Sequence, residues 1–443
     1  MTIAGRETEG PLTHQALKLG GLLLAVAVAA SMWLYANNVL RAHQIAQAAA
    51  HDVPRGNLSD LYPRWLGARE VLLHGRSPYG ADITREIQAG YYGRPLDPRR
   101  PNDPKDQQAF AYPLYVVFLL APTIKLPFGV VQVGFWWLLV ALTAASVLLW
   151  MRVTGWRTSV FQKLIWVVLV LGCFPVVQGL KLQQLTLLVG AAVAGSITAI
   201  QRRHLVWAGI LLAVATIKPQ LVVLLVAWLL VWVLGNWRER QRLLWAFLGC
   251  MAVFVAASTV LLPSWIGEFR AATAAYSRYT EGRSELEVLL TPLGGRIASG
   301  VLVFLVLVLV WQLRRANEHT AEFRWSISVV LAATLLVIPM YAPHYQVLLL
   351  PGLMLVVLSI SRLWTRNLGS RLLIVLMGIS VLWPWFSGAA LVLALPFVPA
   401  SQVERLWILP FFTTLMSPLV MTALLLSSRS IVTKPTTADL NAA

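Results

Sequence analysis

The first apolar stretch of the chain, residues 19–35, reads LGGLLLAVAVAASMWLY and follows Lys18. A helix of about 20 apolar residues is long enough to cross a bilayer. The run continues through Trp33 and Tyr35, past the length of a usual signal-peptide core. It therefore predicts an uncleaved signal anchor preceded by a cytoplasmic tail, residues 1–16. Similar apolar runs recur along the chain, so this stretch is the first of many spans.

Composition indicates an all-α polytopic membrane protein. The 443 residues are 58% hydrophobic and 12% charged, with a mean hydropathy of +0.69, whereas soluble domains average roughly 25% charged residues. A net charge of +17 would suggest nucleic acid as the partner of a soluble protein. Here most Lys and Arg residues lie between the apolar runs, so membrane topology explains the positive charge. We therefore expect the lipid bilayer, and no nucleic acid, as a partner.

Apolar length and loop charge together predict about twelve transmembrane helices with both termini cytoplasmic. Under this threading most Lys and Arg residues of the short loops fall on the cytoplasmic side, as the positive-inside rule requires. The transmembrane domain covers residues 17–427, and residues 428–443 form a cytoplasmic tail. The predicted spans are 17–39, 129–151, 162–178, 183–200, 205–217, 219–235, 243–262, 296–313, 325–341, 344–361, 371–387 and 407–427.

One long segment, residues 40–128, interrupts the apolar chain and is predicted to be an extracytoplasmic loop. Counting residues 113–127 as a further span would move most basic clusters to the outside, and this run contains three prolines. We therefore expect it to lie on the outer surface as an interfacial helix. Residues 63–74 are a second interfacial helix, with Trp65, Leu66, Leu72 and Leu73 as its apolar stripe.

Asp60, in the run NLSDLYPRW of residues 57–65, is the candidate catalytic residue. A carboxylate at the outer mouth of a helix bundle can take a proton from an acceptor hydroxyl. The structural alternative is an N-cap for the helix that begins near Tyr62, a position that favours Asp. Residue type alone leaves both readings open.

Four further residues are candidates for binding a donor phosphate. His344 opens a predicted helix on the same outer face, where helix N–H groups favour an anion, and Lys218 stands at a helix break before Pro219. An interfacial histidine and a lysine reaching the lipid surface are the respective alternatives. Arg64 and Arg69 lie near Asp60 in sequence and either contact phosphate or belong to a solvated face.

Gln183, Gln184 and Tyr62 are candidates for binding the sugar substrate, with a plain interfacial role as the alternative for the glutamines. Asp97, Asp103 and Asp106 do not form the close Asp-x-Asp pair of metal-dependent sugar-nucleotide transferases. No phosphate-binding Gly-rich loop or zinc-protease motif occurs in the sequence. We therefore expect neither a metal site nor a cofactor.

The motifs taken together resemble glycosyltransferase family 87. They are DLYPRWLGAR at residues 60–69, GRSPY at 75–79, AYP at 111–113, IKPQ at 217–220, and the late His344. The resemblance runs from about residue 57 to at least residue 351. One departure is Leu114, where the family often has a second proline.

The resemblance implies a GT-C-like bundle and a mannosyltransferase that uses a polyprenyl-phosphate-mannose donor. It places Asp60 at the general base, and His344 near the donor phosphate. The acceptor would be a glycolipid or glycan, and the site would face outward from the bacterial inner membrane. Two alternatives remain open: a GT-C transferase that uses prenyl-phosphate arabinose or glucose, and a lipid-linked sugar transporter or flippase.

Overall fold

The computed structural model describes residues 11–53 and 59–433, and all regular secondary structure within these ranges is helical. Its first helices are α1 (Pro11–Tyr35), α2 (Arg41–Ala50), α3 (Leu61–His74), α4 (Ala81–Tyr92), α5 (Val116–Leu120), α6 (Phe128–Val153), α7 (Val160–Leu171), α8 (Phe174–Lys181), α9 (Thr186–Gln201), α10 (Leu205–Ala215) and α11 (Pro219–Gly235). They are followed by α12 (Trp237–Leu261), α13 (Trp265–Tyr279), α14 (Glu285–Leu289), α15 (Pro292–Gln312), α16 (Ala321–Val337), α17 (Leu350–Leu358), α18 (Ile360–Trp364), α19 (Leu368–Ala394), α20 (Ala400–Arg405), α21 (Met416–Ser427) and α22 (Arg429–Val432).

Six helical segments of the described residues are long and apolar enough to cross a membrane, or seven if α7 and α8 form one bent span. Four shorter apolar helical segments lie at 186–201, 205–215, 219–235 and 343–358. The prediction of an all-helical membrane protein is therefore confirmed. The figure of twelve spans stays a prediction, because the shorter helices do not meet the length of an independent span.

The first helix extends further than predicted. A π-helical turn, Ala36–Leu40, joins α1 to α2, so the helix continues to Ala50 where the sequence predicted a loop from residue 40. A π-turn frees a backbone carbonyl from the regular hydrogen-bond ladder, and here the Lys181 Nζ donates to the Ala36 carbonyl over 3.1 Å. This tertiary contact is invisible in the local sequence.

A break divides the predicted span 162–178 at Gly172. The helices on either side, α7 and α8, meet at an angle of 60°. A Cβ atom on Gly172 would lie 2.2 Å from the Cβ of Ala29, so the glycine permits close approach of the first helix. Pro175 lies in the first turn of α8, where the missing N–H of proline costs no helix hydrogen bond.

The two predicted surface helices of the long segment are more deeply packed than expected. Helix α3 confirms the predicted helix at 63–74, and Trp65 packs 5.3 Å from Phe128 between ring centres. Leu73, predicted to belong to the apolar stripe, is exposed instead. Within residues 113–127 only α5 and a short 3-10 turn are helical, and Val116 and Val117 are fully buried. This segment packs into the protein core, and its position at the membrane interface stays a prediction.

The bundle has a basic end and an opposite end where several helices begin. At the basic end, Arg203 pairs with Glu239 at 3.1 Å and Arg240 donates to the Ala316 carbonyl over 2.8 Å. These contacts join the end of α9, the start of α12 and the turn between α15 and α16. At the other end, Gln184 lies two residues before α9 and Lys218 lies directly before α11. The long segment packs at this second end and closes over a cavity.

Candidate functional site

A cavity of about 430 Å³ lies where the long segment meets the bundle. It combines residues that are far apart in the sequence, from α3, the segment after α4, the helix starts at 184 and 218, helix α13 and the turn at 344. Its polar and aromatic lining includes Asp60, Arg64, Asp106, Tyr112, Gln184, Lys218, Gln220, Tyr276, His344 and Tyr345. Five of the sequence-predicted site residues therefore meet in one space.

Asp60 occupies the N-cap position of α3, but its side chain makes no capping hydrogen bond. Its backbone N–H donates to the Leu182 carbonyl over 3.0 Å, which ties the start of α3 to the turn before α9. The carboxylate instead accepts a hydrogen bond from the Gln184 Nε2 at Oδ2, and faces the Tyr91 hydroxyl at 3.4 Å from Oδ1. Asp60 thus does more than cap a helix, because its side chain belongs to the cavity network.

Lys218 is buried at the break between α10 and α11 and does not reach the lipid surface. Its Nζ donates to the Gln184 Oε1 over 2.7 Å and to the Thr186 Oγ1 over 2.9 Å. The same ammonium lies 5.8 Å from the ring centre of Tyr112 and 5.3 Å from that of Tyr345. Pro219 has no N–H and fits the first position of α11, so the break presents the lysine to the cavity.

Arg64 and Tyr112 form a cation–π pair, with 4.5 Å between the guanidinium carbon and the ring centre. Arg64 also donates to the backbone carbonyl of Asp60, one turn before it in the helix. Burial works against the charge of Arg64, but Tyr112 and Asp60 outweigh it and raise the arginine pKa. Burial likewise works to raise the pKa of Tyr112, and the charges of Arg64 and Lys218 bring it below the usual value of a phenol. The cavity wall is therefore electropositive beside Asp60.

His344 is buried in the first turn of a 3-10 helix, Pro343–Leu349, and its ring meets Tyr345 edge-on at 4.7 Å. Its Nε2 has no hydrogen-bond partner among the described residues. A buried polar atom without a partner is uncommon in folded proteins, and a catalytic role or a bound water or ion is among its explanations. The imidazole is thus available to a molecule in the cavity.

Three predicted site residues do not line the cavity. The Gln183 side chain donates to the Gln132 carbonyl over 2.5 Å and accepts from Ser59, so it anchors the start of α3. Tyr62 packs against Phe128 with ring centres 5.0 Å apart. Arg69 lies with its guanidinium carbon 5.5 Å from the Trp65 ring centre. Gln183 and Tyr62 hold α3 in place, Arg69 packs on a residue of its own helix, and none of the three lines the cavity.

Sequence reasoning missed the second carboxylate of the cavity, Asp106. It grouped Asp106 with Asp97 and Asp103 as acidic residues without a metal pattern, but the structure separates them. Asp103 pairs with Arg94 at 2.9 Å within the loop, whereas Asp106 lines the cavity. Burial, reinforced by the charge of Asp60, raises the pKa of Asp106. The nearby Gln108 donates to its carboxylate from both backbone and side chain.

The three glutamates between α13 and α15 differ in burial and in their partners. The positions of Glu281, Glu285 and Glu287 in the predicted outer loop 263–295 indicate a solvated edge, yet only Glu281 is exposed. Glu285 is fully buried, and burial raises its pKa to about 9. Glu287 caps α14 and pairs with Arg296 at 2.9 Å. The expectation of a solvated edge was wrong for Glu285, since its helix packs against α15 and α16.

The described residues contain no group of three or more His, Cys, Asp or Glu side chains that could hold a metal ion. Within the cavity, Asp60 and Asp106 are the two carboxylates, and both already accept hydrogen bonds from protein groups. The cavity offers instead two carboxylates, two cations and an imidazole. Independence from metals and cofactors stays a prediction.

Comparison with known protein families identifies the chain. The model of glycosyltransferase family 87 matches residues 110–339, just over half of the 443 residues. The chain belongs to glycosyltransferase family 87. The curated proteins and the solved structures gave no significant match. Of the cavity residues, Tyr112, Gln184 and Lys218 lie within the matched range, whereas Asp60 and His344 lie outside it. The tertiary structure is what connects these two residues to the family region of this glycosyltransferase.

Proposed function

We propose that this family 87 glycosyltransferase moves mannose, with inversion, from a polyprenyl-phosphate donor to a hydroxyl of a glycolipid or glycan acceptor. The observation that carries the proposal is the meeting of the Asp60 carboxylate with Arg64, Lys218 and His344 around one cavity. A carboxylate beside two cations suits a reaction in which one substrate loses a proton and the other leaves as an anion.

The chemistry requires only one catalytic carboxylate. The phosphate of a polyprenyl-phosphate sugar is already a good leaving group, so it needs no general acid, unlike the leaving group in most glycoside hydrolysis. Asp60 removes the proton of the acceptor hydroxyl, whose oxygen attacks the anomeric carbon from the face opposite the phosphate. The bond to the phosphate oxygen breaks, and its electron pair leaves with the polyprenyl phosphate. A β-linked mannosyl phosphate would thus give an α-mannoside.

The electropositive wall supports the assignment of the leaving phosphate. Arg64 and Lys218 carry positive charge, and the His344 Nε2 is buried without a partner. A low-dielectric site strengthens such interactions as negative charge develops on the leaving oxygen. Arg69, which stacks near Trp65, falls outside this group.

An apolar cavity of about 380 Å³ supports a lipid-linked donor. It lies between helices α7, α8, α17, α19 and α21 and is lined by residues such as Val170, Leu350, Met377 and Val381. The short helix that presents His344 and Tyr345 to the polar cavity presents the two residues after them, Gln346 and Val347, to the apolar one. Because the two cavities adjoin, a donor could place its phosphate near His344 and its prenyl chain among the apolar helices.

The charge distribution supports an extracytoplasmic site. Arg203, Arg240 and Arg314 gather at the end of the bundle where α9 and α11 finish, whereas the cavity lies where these helices begin. Basic residues concentrate on the cytoplasmic side of membrane proteins. The cavity end would then face the outside, in agreement with the bacterial inner-membrane location expected from the sequence.

The test is a transfer assay with the purified protein in lipid nanodiscs. Polyprenyl-phosphate mannose, arabinose and glucose are supplied separately with a mixed glycolipid acceptor fraction, and NMR reads the anomeric configuration of the product. We expect turnover with the mannosyl donor and an α-linked product. Turnover with a nucleotide sugar alone, or retention of configuration, would contradict the proposal, and preference for arabinose or glucose would correct the donor.

A further inference from the structure

Gln184 joins the candidate base to the buried cation of the cavity. Lys218 is a donor only, so the Gln184 atom that it contacts at 2.7 Å must be the amide oxygen. The amide nitrogen then necessarily points the other way, and it donates to the Asp60 Oδ2. The side-chain orientation of Gln184 is therefore fixed by chemistry, and both ends of its amide are in use.

We propose that Gln184 is a positioning residue that orients Asp60 and couples it to the cation of the donor site. This inference rests on the proposed function. It differs from the sequence-based expectation that Gln184 binds sugar hydroxyls, because one N–H and one lone pair of the amide already bind Asp60 and Lys218. The turn before α9 places Gln184 between the two charged groups, and it is itself buried.

The orientation has a direct consequence for the proton transfer. The hydrogen bond from Gln184 occupies Oδ2 of Asp60, which leaves Oδ1 to receive the proton of the acceptor hydroxyl. Oδ1 faces only the Tyr91 hydroxyl, at a long 3.4 Å, among the contacts of the described residues. At the oxygen end of the Gln184 amide, Lys218 also donates to the Thr186 hydroxyl over 2.9 Å. These two hydrogen bonds position the ammonium beside Tyr112 and Tyr345.

A negative charge introduced at position 184 should repel the Asp60 carboxylate more strongly than one introduced elsewhere on the cavity wall. The charged and titratable groups that surround Asp60 are Arg64 from its own helix, Tyr91 and Tyr92 from α4, Asp106 and Tyr112 from the segment after α4, and Lys218, His344 and Tyr345 from the bundle. Gln184 contacts Asp60 directly. Gln220 lines the same cavity, but its side chain interacts with the Tyr345 hydroxyl and not with Asp60.

The decisive experiment compares Gln184→Glu with Gln220→Glu. Glutamate at 184 keeps the size of the side chain and can still accept from Lys218, but it cannot donate to Asp60 and it adds a like charge there. We expect the acidic limb of the kcat–pH profile to move up by about one pH unit or more, and kcat at pH 7 to fall at least tenfold. Gln220→Glu should move the limb by less than half as much.

A second variant separates the hydrogen bond from the charge. Gln184→Met has similar length, adds no charge and makes no amide hydrogen bond. We expect about a tenfold loss of kcat, the equivalent of one hydrogen bond to a charged group, with the KM for the donor changed less than threefold. A melting temperature close to that of the wild type confirms that the fold is kept.

The outcomes distinguish this inference from the proposed function. Equal shifts of the pH limb in the two Glu variants, or unchanged kcat in Gln184→Met, would overturn the positioning role. If Asp60→Asn transferred sugar at the normal rate, the assignment of the base would fail instead. Activity lost in Asp60→Asn together with unchanged profiles in both Gln184 variants would remove only the role of Gln184.

Discussion

Asp60 and Asp106 line the same cavity, and the charge of Asp60 adds to burial in raising the pKa of Asp106. Their hydrogen-bond partners differ. Asp60 accepts from Gln184, whose amide also contacts Lys218, whereas Asp106 accepts from Gln108 at 2.9 Å and 2.7 Å within the loop. Two carboxylates in different surroundings can carry different roles in one site. The proposed function gives the proton transfer to Asp60, and we expect Asp106 to hold an acceptor hydroxyl.

Asp60→Asn should abolish transfer while the protein still folds. Asparagine can fill the same space next to Gln184 but cannot take the proton, and loss of a general base lowers the rate by about 10²–10⁴-fold. The measurement is the initial rate of transfer, with the melting temperature as a check of folding. A variant with near-normal turnover would show that another group takes the proton.

Asp106→Asn should raise the KM for the acceptor about tenfold and leave the KM for the donor within threefold. The physical reason is the loss of a hydrogen bond from an acceptor hydroxyl to a charged oxygen, about 1.5–3 kcal/mol. Asp103→Asn serves as the control, because Asp103 pairs with Arg94 in the same loop and does not line the cavity. Equal effects of both variants on acceptor binding would indicate a disturbed loop.

His344→Ala should weaken use of the donor by about tenfold in kcat/KM. The Nε2 of this residue is buried without a partner among the described residues, and a bound phosphate would supply one. Kinetics at varied donor concentration measure the effect. Donor kinetics that match the wild type would place the phosphate elsewhere in the cavity.

Glu285→Gln should stabilise the protein, and increasingly so as the pH rises. The folded-state pKa of Glu285, about 9, is above its ordinary value of 4.5, so folded protein must hold a proton that the unfolded chain releases. The wild type therefore loses stability between about pH 5 and 9, and the glutamine variant does not. Melting temperatures across this range measure the difference.

Glu287→Gln provides the opposite control for that experiment. Hydrogen bonding to Ser284 and the pair with Arg296 lower the pKa of Glu287, so its stabilising effect is present above the ordinary pKa of a glutamate and is lost at acid pH. This variant should be less stable than the wild type at pH 7 and approach it as the pH falls. The same pH trend in both variants would refute the burial argument for Glu285.

Gly90→Ala should destabilise the long segment by about 1–3 kcal/mol, the usual cost of overpacking. A Cβ atom there would lie 1.9 Å from the Tyr62 hydroxyl oxygen, and Tyr62 belongs to α3, the helix that Asp60 directly precedes. Activity should fall together with the melting temperature. Gly129→Ala is the control, since a Cβ atom there meets nothing within 4 Å. If both variants melted alike, close packing of α4 on α3 would be excluded.

Local sequence patterns predicted helices well where apolar length alone decides them. The predicted span 219–235 coincides with α11, and the predicted helix at 63–74 with most of α3. The same patterns failed at Gly172, where the close approach of Ala29 accompanies the break, and at Ala36, where Lys181 stabilises a π-turn. Both contacts come from distant parts of the chain, and hydrophobic periodicity carries no information about them.

The sequence by itself determined that the protein is a helical membrane glycosyltransferase with an acid at position 60. The length of apolar runs, the Lys and Arg residues between them and short motifs are local properties, so they can be read without coordinates. Only the tertiary structure decided that Gln184 faces Asp60 while Gln183 turns away, that Asp106 enters the cavity, and that Arg69 and Tyr62 do not. Side-chain direction depends on how separate helix ends and a long loop pack together, and packing is a property of the whole chain.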